Sequence, residues 1–209
     1  QQKQIDELKQ VVSASKSSAS AVLSISQIIN RFATVQSALS LTEQSGFLTD
    51  PYKLRDSRPD NKTQIAWSNA LRYYLSGPRA AVHADYRYYH DDFGISSHTV
   101  DLAWHQNVGR SFRVIPALRY YTQSAADFFT NVDDFLKPLS EFQSSDYRLS
   151  AFGAFSGGLS VVADLGQWNL TVTAERYVAD HSYSAFEVRQ QSTALVRYNR
   201  LSIGLDFDF

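Results

Sequence analysis

The sequence of 209 residues carries a formal net charge of -1 and contains no cysteine. Its length suits one sizeable domain or two small ones, and the balanced charge gives no basic field that would attract nucleic acid. The lack of cysteine excludes a disulfide framework or a cysteine metal site. The sequence has no run of about 18 apolar residues, so it predicts no transmembrane helix. The mean hydropathy of -0.30 fits a soluble protein, but it also fits a membrane β-barrel in which every second residue faces a polar lumen.

Residues 1–19 have a helical pattern. Four apolar residues share one helical face: Ile5, Leu8, Val11 and Val12. A stretch rich in Ser, Lys and Ala follows them. We predict a short helix and a loop in 1–19, on the extracellular side, and transmembrane β-barrel strands in 20–209. A further strand within 1–19 is the alternative. The sequence begins at Gln1 and has no methionine, which we interpret as a processed or partial product.

From about residue 21 onward, apolar and polar residues alternate, as in β-strands with one apolar and one polar face. Val82 and Ala84 fall on one face, for example, whereas His83 and Asp85 fall on the other. The alternation recurs in nine segments, many of which approach the roughly 9–11 residues that an oblique membrane-spanning strand needs. The segments are 21–29, 34–42, 63–75, 81–89, 99–105, 112–121, 148–164, 168–175 and 201–209.

The connections between these segments alternate between short and long. Tight turns lie near residues 30, 77, 108 and 166, and longer loops span 44–61, 91–97, 124–147 and 181–193. Short turns on one side and long loops on the other are typical of an outer-membrane barrel, with the turns in the periplasm. We therefore predict an all-β, antiparallel transmembrane β-barrel. A soluble β-sandwich or a lipocalin-like barrel is the alternative.

In this topology the first strand starts outside the cell. A complete bacterial barrel has an even number of strands and both ends in the periplasm. We therefore expect the C-terminal nine or so strands of a larger, even-stranded barrel.

The last strand alternates apolar residues up to Phe207 and Phe209. A terminal Phe on such a strand resembles the signal that outer-membrane proteins present to the barrel assembly machinery, so we predict that machinery and outer-membrane lipid as partners.

Charged residues fall on the polar face of these segments. A hairpin symmetric about residue 94 would place Arg87 opposite Asp101, with Arg119 close by on the next strand. These charges could form a selectivity lining or a solute site, but their interleaved signs favour a paired network that fills a narrow lumen. The set is Arg72, His83, Asp85, Arg87, Asp101, His105, Arg113, Arg119, Glu175 and Asp206.

The 124–147 loop is the best functional candidate, because long ordered loops are usually lids, plugs or binding elements. Pro138 interrupts its helical spacing, and we expect its apolar side chains to be buried over the barrel mouth rather than in the membrane interface or on a partner. The contact candidates are Phe128, Phe129, Phe135, Leu136 and Phe142. Asp91 and Asp92 are interpreted as turn formers rather than cation ligands. We predict no metal, no cofactor and no catalytic residue.

Three stretches carry a family resemblance: "SGFLTDPYK", "YRYYHDDFGISSHT" and "RYYTQSAADFF". With the terminal strand, they resemble domain-of-unknown-function family 3570, of predicted bacterial outer-membrane proteins, although Phe129 stands where a Tyr is common. The resemblance covers about Ser45 to Phe129. It implies a barrel without an established activity, and the lipoproteins and flavin-attaching enzymes often encoded nearby suggest a link to extracytoplasmic electron transfer.

We therefore predict a bacterial outer-membrane barrel that is not an enzyme. It would be a structural or partner-binding component of an envelope assembly, with a lipoprotein or another envelope protein as the partner. A channel or transporter for small solutes is the alternative function.

Overall fold

The computed structural model describes residues 15–50, 53, 55–138 and 140–207. In this part of the chain, nine antiparallel strands form one sheet in sequence order. Two single-turn 3-10 segments, Tyr147–Leu149 and His181–Tyr183, are the helical structure in these ranges. The strands are β1 Lys16–Asn30, β2 Ala33–Gly46, β3 Asn61–Leu75, β4 Ala80–Asp91, β5 Ser96–Val108, β6 Phe112–Gln123, β7 Phe152–Asp164, β8 Trp168–Asp180 and β9 Arg197–Phe207.

Among the described residues, no helix has the length and apolar character needed to cross a membrane.

The predicted all-β, antiparallel arrangement is confirmed, but β1 starts earlier than the sequence indicated. It begins at Lys16, so the predicted segment boundary at residue 19 is wrong. The reason is that β2 extends to Gly46 and offers partners for the whole of β1, with the hydroxyls of Ser17 and Ser45 2.7 Å apart. The rest of the predicted helical segment, 1–14, lies outside the described residues.

The two ends of the sheet differ as predicted. We call the end with the connections 31–32, 76–79, 109–111 and 165–167 the turn side, and the end with 47–60, 92–95, 124–151 and 181–196 the loop side. Of the four loop-side connections, only 92–95 is as short as the connections on the turn side. Asp91 tightens it, because its carboxylate accepts hydrogen bonds from the backbone N–H groups of Phe93 and Ile95 at 3.1 and 3.0 Å.

The alternation of residue types gives the sheet a polar face and an apolar face. On the apolar face, large side chains are exposed in register across the strands, such as Leu39 beside Trp67 and Leu102 beside Leu118. Aromatic residues frame this band at both ends. The turn-side residues are Trp104, Phe112, Trp168 and Phe207, and the loop-side residues are Tyr88, Tyr120 and Phe155.

Two clusters of buried apolar side chains lie at the loop side. One cluster joins the 92–95 hairpin to the 124–151 loop, and it contains Phe93, Ile95, Ala126, Phe129 and Leu149. A second cluster covers the loop-side end of the polar face, where Tyr121 and Tyr177 pack against Phe152, Ala154 and Ala179. The long loops are therefore packed parts of the fold.

The 181–196 segment does not simply extend away from the sheet. Its first half, which we call the strap (183–186), crosses the apolar face near the loop side. The hydroxyl of Tyr120 donates to the carbonyl of Tyr183 at 2.7 Å, and the N–H of Ala185 donates to the hydroxyl of Thr122 at 2.9 Å. The backbone of the strap comes so close to β7 that a Cβ at Gly153 would clash with the Tyr183 carbonyl.

This contact predicts different effects for two glycines of the same strand. Gly153→Ala should lower the free energy of unfolding by about 1–3 kcal/mol, because a side chain has to displace the strap. Gly157→Ala is the control, since nothing lies within 4 Å of its added Cβ. Equilibrium unfolding of the refolded protein, followed by tryptophan fluorescence, measures both. Equal effects of the two substitutions would contradict the packed position of the strap.

Candidate functional site

The middle of the polar face holds a row of charges on neighbouring strands. Arg72 on β3 binds Asp85 on β4 through both guanidinium nitrogens, at 2.5 and 3.0 Å. Asp85 lies directly opposite Asp101 on β5, and Asp101 lies directly opposite Arg119 on β6. Arg119 and Asp101 approach to 3.6 Å. The row therefore reads positive, negative, negative, positive, and each carboxylate has its own arginine.

The prediction that Arg87 lies opposite Asp101 is wrong. Arg87 lies opposite Thr99, because the β4–β5 pairing is centred one residue earlier than predicted. Asp91 sets this centre, since its carboxylate holds the N–H groups of the following turn. A shift of one residue in the centre moves each partner by two, so both side chains keep the predicted face. The guanidinium of Arg87 lies 5.8 Å from the centre of the Tyr89 ring.

Several of the other predicted lumen residues contact a neighbour on their own or the adjacent strand. The rings of His83 and His105 meet across β4 and β5, with their centres 3.9 Å apart. Arg113, near the turn side, donates to the side-chain oxygen of Asn107 at 3.2 Å. Glu175 binds Arg200 on β9 at 2.6 Å. Sequence reasoning missed Arg200, although its position between Asn199 and Leu201 places it on the polar face of the last strand.

Two grooves follow this row of charges. One, of about 420 Å³, is lined by residues of β2 to β6 that include Arg72, Arg87 and Arg119. The other, of about 310 Å³, runs towards β8 and includes His83, Ser160 and Glu175. Both present charges of either sign beside hydroxyl groups. Such a surface can hold water or a small polar solute, and it offers no patch of a single charge.

Sequence reasoning missed a second group of charges, the loop lock (Asp56, Arg58, Asp146 and Arg148). The guanidinium of Arg58 binds Asp56 at 2.8 Å and Asp146 at 2.9 Å, which joins the 47–60 loop to the 124–151 loop. The side chains of Arg58 and Asp146 are only 12% and 2% exposed. Arg148 also binds Asp146, at 2.6 Å.

Burial alone would raise the pKa of the Asp146 carboxyl. Hydrogen bonds from the side chain and backbone of Arg148, and from Arg58, outweigh burial and lower the pKa to about 2. The carboxylate form of Asp146 is therefore a stabilising part of the loop lock.

The predicted contact residues of the long loop separate into two groups. Phe129 is buried in the core beside Phe128, above the loop-side end of the polar face. Phe135, Leu136 and Phe142 remain exposed. The expected burial therefore applies to the base of the loop, whereas its tip faces solvent. The predicted helical spacing gives no helix in the described part of this loop beyond the short 3-10 turn.

The two aspartates of the 92–95 hairpin act on the backbone. Asp91 also accepts hydrogen bonds from the Tyr89 hydroxyl and pairs with Lys62 at 2.8 Å, while Asp92 accepts one from the N–H of Thr63. Over the residues that the structure describes, no group of three or more His, Asp or Glu could hold a metal ion. On the last strand, the Phe207 ring contacts Trp168, with centres 4.5 Å apart, and Phe209 lies outside the described residues.

Comparisons with known proteins bear on the family and the fold. A family model described as "Protein of unknown function (DUF3570)" matches residues 1–195. The chain is also similar to a solved structure described as "Outer-membrane expressed OmpT of Vibrio cholerae", with a TM-score of 0.63 over 91% of this chain and 12% sequence identity. The match covers 56% of that structure, so the present chain spans little more than half of its length. No curated protein matches the chain.

The register on the polar face predicts which arginine is coupled to Asp101. In a double-mutant cycle, Asp101→Asn and Arg119→Gln should give a coupling free energy of about 0.5–1 kcal/mol, a small value because solvent screens the partly exposed pair. A cycle with Arg87→Gln in place of Arg119→Gln is the control and should show coupling below about 0.3 kcal/mol. Equilibrium unfolding provides the free energies. A stronger coupling of Asp101 to Arg87 would contradict the observed register.

The loop lock predicts a loss of loop packing when Asp146 is neutralised. Asp146→Asn should cost about 1.5–3 kcal/mol, because Arg58 and Arg148 lose a charged hydrogen-bond acceptor, while Asp56 still pairs with Arg58. The readout is the rate of protease cleavage within 124–151. In the wild type, the carboxylate has a lower pKa in the folded protein than its unfolded value of about 4. Its stabilisation is therefore complete above pH 4 or so and is lost as the pH falls towards about 2.

Cleavage of the wild type should accordingly increase over this pH window, and the Asp146→Asn variant should show a smaller increase. Glu187→Gln is the control, since Glu187 forms an exposed pair with Arg189 in another loop. Faster cleavage of the control than of Asp146→Asn would be evidence against the loop lock.

Proposed function

The chain belongs to the DUF3570 family of proteins of unknown function, and we propose that it forms part of a β-barrel in the bacterial outer membrane. There it acts as a structural or partner-binding component of an envelope assembly. The observation that carries the proposal is the apolar face of the sheet. Leucines such as Leu39, Leu102, Leu118 and Leu159 are 46–52% exposed there. Aliphatic side chains between two aromatic belts suit a hydrocarbon layer between its two interfaces.

The directions of the edge strands support a barrel with more strands than the nine described. β1 and β9 both run from the loop side to the turn side, so a direct pairing of the two would be parallel. An antiparallel closure needs an odd number of additional strands, which makes the total even. Every residue of β1 is exposed, as is every residue of β9, which is what edges awaiting partners would show.

The loop side favours a structural or partner-binding role. Packed loops cover the polar face there, since the buried amide of Gln123 donates to the carbonyls of Arg148 and Ser150. The central charges of the polar face are also mostly paired with each other. A link to extracytoplasmic electron transfer would give this component a redox partner, and it rests on the family resemblance.

One observation favours a second candidate, a channel for small solutes. Arg87 faces the groove of about 420 Å³ and forms no ion pair with the described carboxylates. An unpaired guanidinium in a lumen would attract small anions. A single-channel conductance measurement in a planar bilayer distinguishes this function from the structural one.

The proposed orientation of the sheet in the outer membrane can be tested by cysteine labelling, because the sequence of 209 residues contains no cysteine. Thr193→Cys on the loop side should react with a membrane-impermeant maleimide on intact cells. Gly77→Cys on the turn side should react only after the outer membrane is permeabilised. Gly77 is a suitable position because its added Cβ meets nothing within 4 Å. Labelling of Gly77→Cys, but not of Thr193→Cys, on intact cells would reverse the proposed orientation.

A further inference from the structure

The tip of the 124–151 loop exposes apolar side chains although hydrogen bonds hold it in place. Phe135 is 68% exposed and Leu136 is 94% exposed. Gln143 fixes the tip, because its side chain accepts from the N–H of Asp134 at 3.2 Å and donates to the carbonyl of the same residue at 2.9 Å. An apolar surface that is fixed in an ordered loop cannot turn inward to escape water, and it suits contact with another molecule.

The 47–60 loop also holds this tip in place. Arg55 donates to the carbonyls of Asp134 and Lys137 at 3.0 and 2.6 Å. The backbones of Ser57 and Gln143 form an antiparallel bridge. Contacts across the two loops therefore set the position of the exposed side chains.

A cleft extends from this tip towards the strap. Two adjoining grooves of about 480 and 510 Å³ share Asp127, Phe129 and Gln190, so they are parts of one cleft between the 124–138 and 186–190 segments. The side chain of Gln190 accepts a hydrogen bond from the N–H of Asn131 at 2.9 Å and joins the two walls. We call the cleft and the adjacent apolar tip the loop-tip site.

The rim of the loop-tip site is acidic. Lys137 pairs with Glu141 and Arg189 with Glu187, so these four charges compensate each other. Two further aspartates line the cleft and form no ion pair with the described cations: Asp127 and Asp134. A negative rim repels the anionic groups of lipopolysaccharide, and a second copy of the chain would bring the same negative rim. Charge complementarity therefore favours a basic partner.

We propose that the loop-tip site binds an extended segment of another envelope protein, with apolar side chains flanked by Lys or Arg. The apolar side chains would fill the cleft beside Phe129 and Leu136, and the basic ones would meet the aspartates of the rim. The proposal deepens the partner-binding function and rests on it, because the loops must face outward to meet such a partner.

In the test, Leu136 is replaced by the photo-crosslinking amino acid p-benzoylphenylalanine in the full protein, and intact cells are irradiated. Thr193, exposed elsewhere on the loop side, takes the same replacement as a positional control. We expect a discrete protein crosslink from position 136 that is absent from position 193. Mass spectrometry of the crosslinked peptide should place the crosslink in a segment with apolar residues and a net positive charge.

The acidic rim is tested in the same cells. Asp127→Asn together with Asp134→Asn should lower the crosslink yield about fivefold or more. The Asn at 134 keeps an oxygen that can accept the Leu136 N–H, as Asp134 does at 2.9 Å. Glu187→Gln with Arg189→Gln is the matched control, because it removes two charges of the cleft without changing the net charge. Added salt should weaken the crosslink of the unsubstituted rim as well.

Several results would overturn the loop-tip site. One is the absence of a crosslink from position 136, and another is a crosslink to lipopolysaccharide or to a second copy of the chain. A crosslinked segment without net positive charge would also overturn it, as would a crosslink yield that changes neither with the aspartate substitutions nor with added salt. Heat-modifiable migration of each variant on gels reports the barrel separately. Loss of that migration in the otherwise unsubstituted protein would refute the proposed barrel rather than the loop-tip site.

Discussion

A strand in a lipid layer must bond its backbone to neighbouring strands, because lipid offers no hydrogen-bond partner. The pleated backbone of strands paired in this way has a period of two, which sends successive side chains to opposite faces of the sheet. The polar face, the apolar band and the two aromatic belts are consequences of that period. It also explains why the two clusters of buried apolar side chains lie at the loop side, since over the rest of the described sheet the large apolar side chains are exposed on one face and charges occupy the other.

The same period decides what the sequence could reveal. Whether a residue is on one face or the other depends only on its parity, so the faces of Asp85, Arg87 and Asp101 followed from the sequence alone. Their partners did not, because partners depend on where each hairpin turns. The Asp91 carboxylate moved the β4–β5 turn by one residue, so Asp101 lies opposite Asp85 rather than Arg87, and its ion-pair partner is Arg119 on β6. The start of β1 at Lys16 has a related cause, since polar residues continue a strand wherever the neighbouring strand continues.

Contacts between distant loops were beyond the reach of sequence patterns. Arg58 and Asp146 are 88 residues apart, and neither lies in a periodic segment. Their pairing depends on the sheet, which brings the ends of β2 and β3 near the loop between β6 and β7. The strap is a similar case, because only the missing side chain at Gly153 hints that another backbone passes close to β7. The family resemblance, in contrast, was carried by local stretches and needed no tertiary information.

The charges on the polar face and those at the loop tip have different consequences. In the row from Arg72 to Arg119, each carboxylate lies beside its own arginine, so the field largely cancels at short range and the row mainly joins neighbouring strands. At the loop tip, the local ion pairs compensate only part of the acidic charge. A field that persists beyond its own residues can act on another molecule. The arrangement of charges thus separates a part of the molecule that supports its own fold from a part that is suited to recognition.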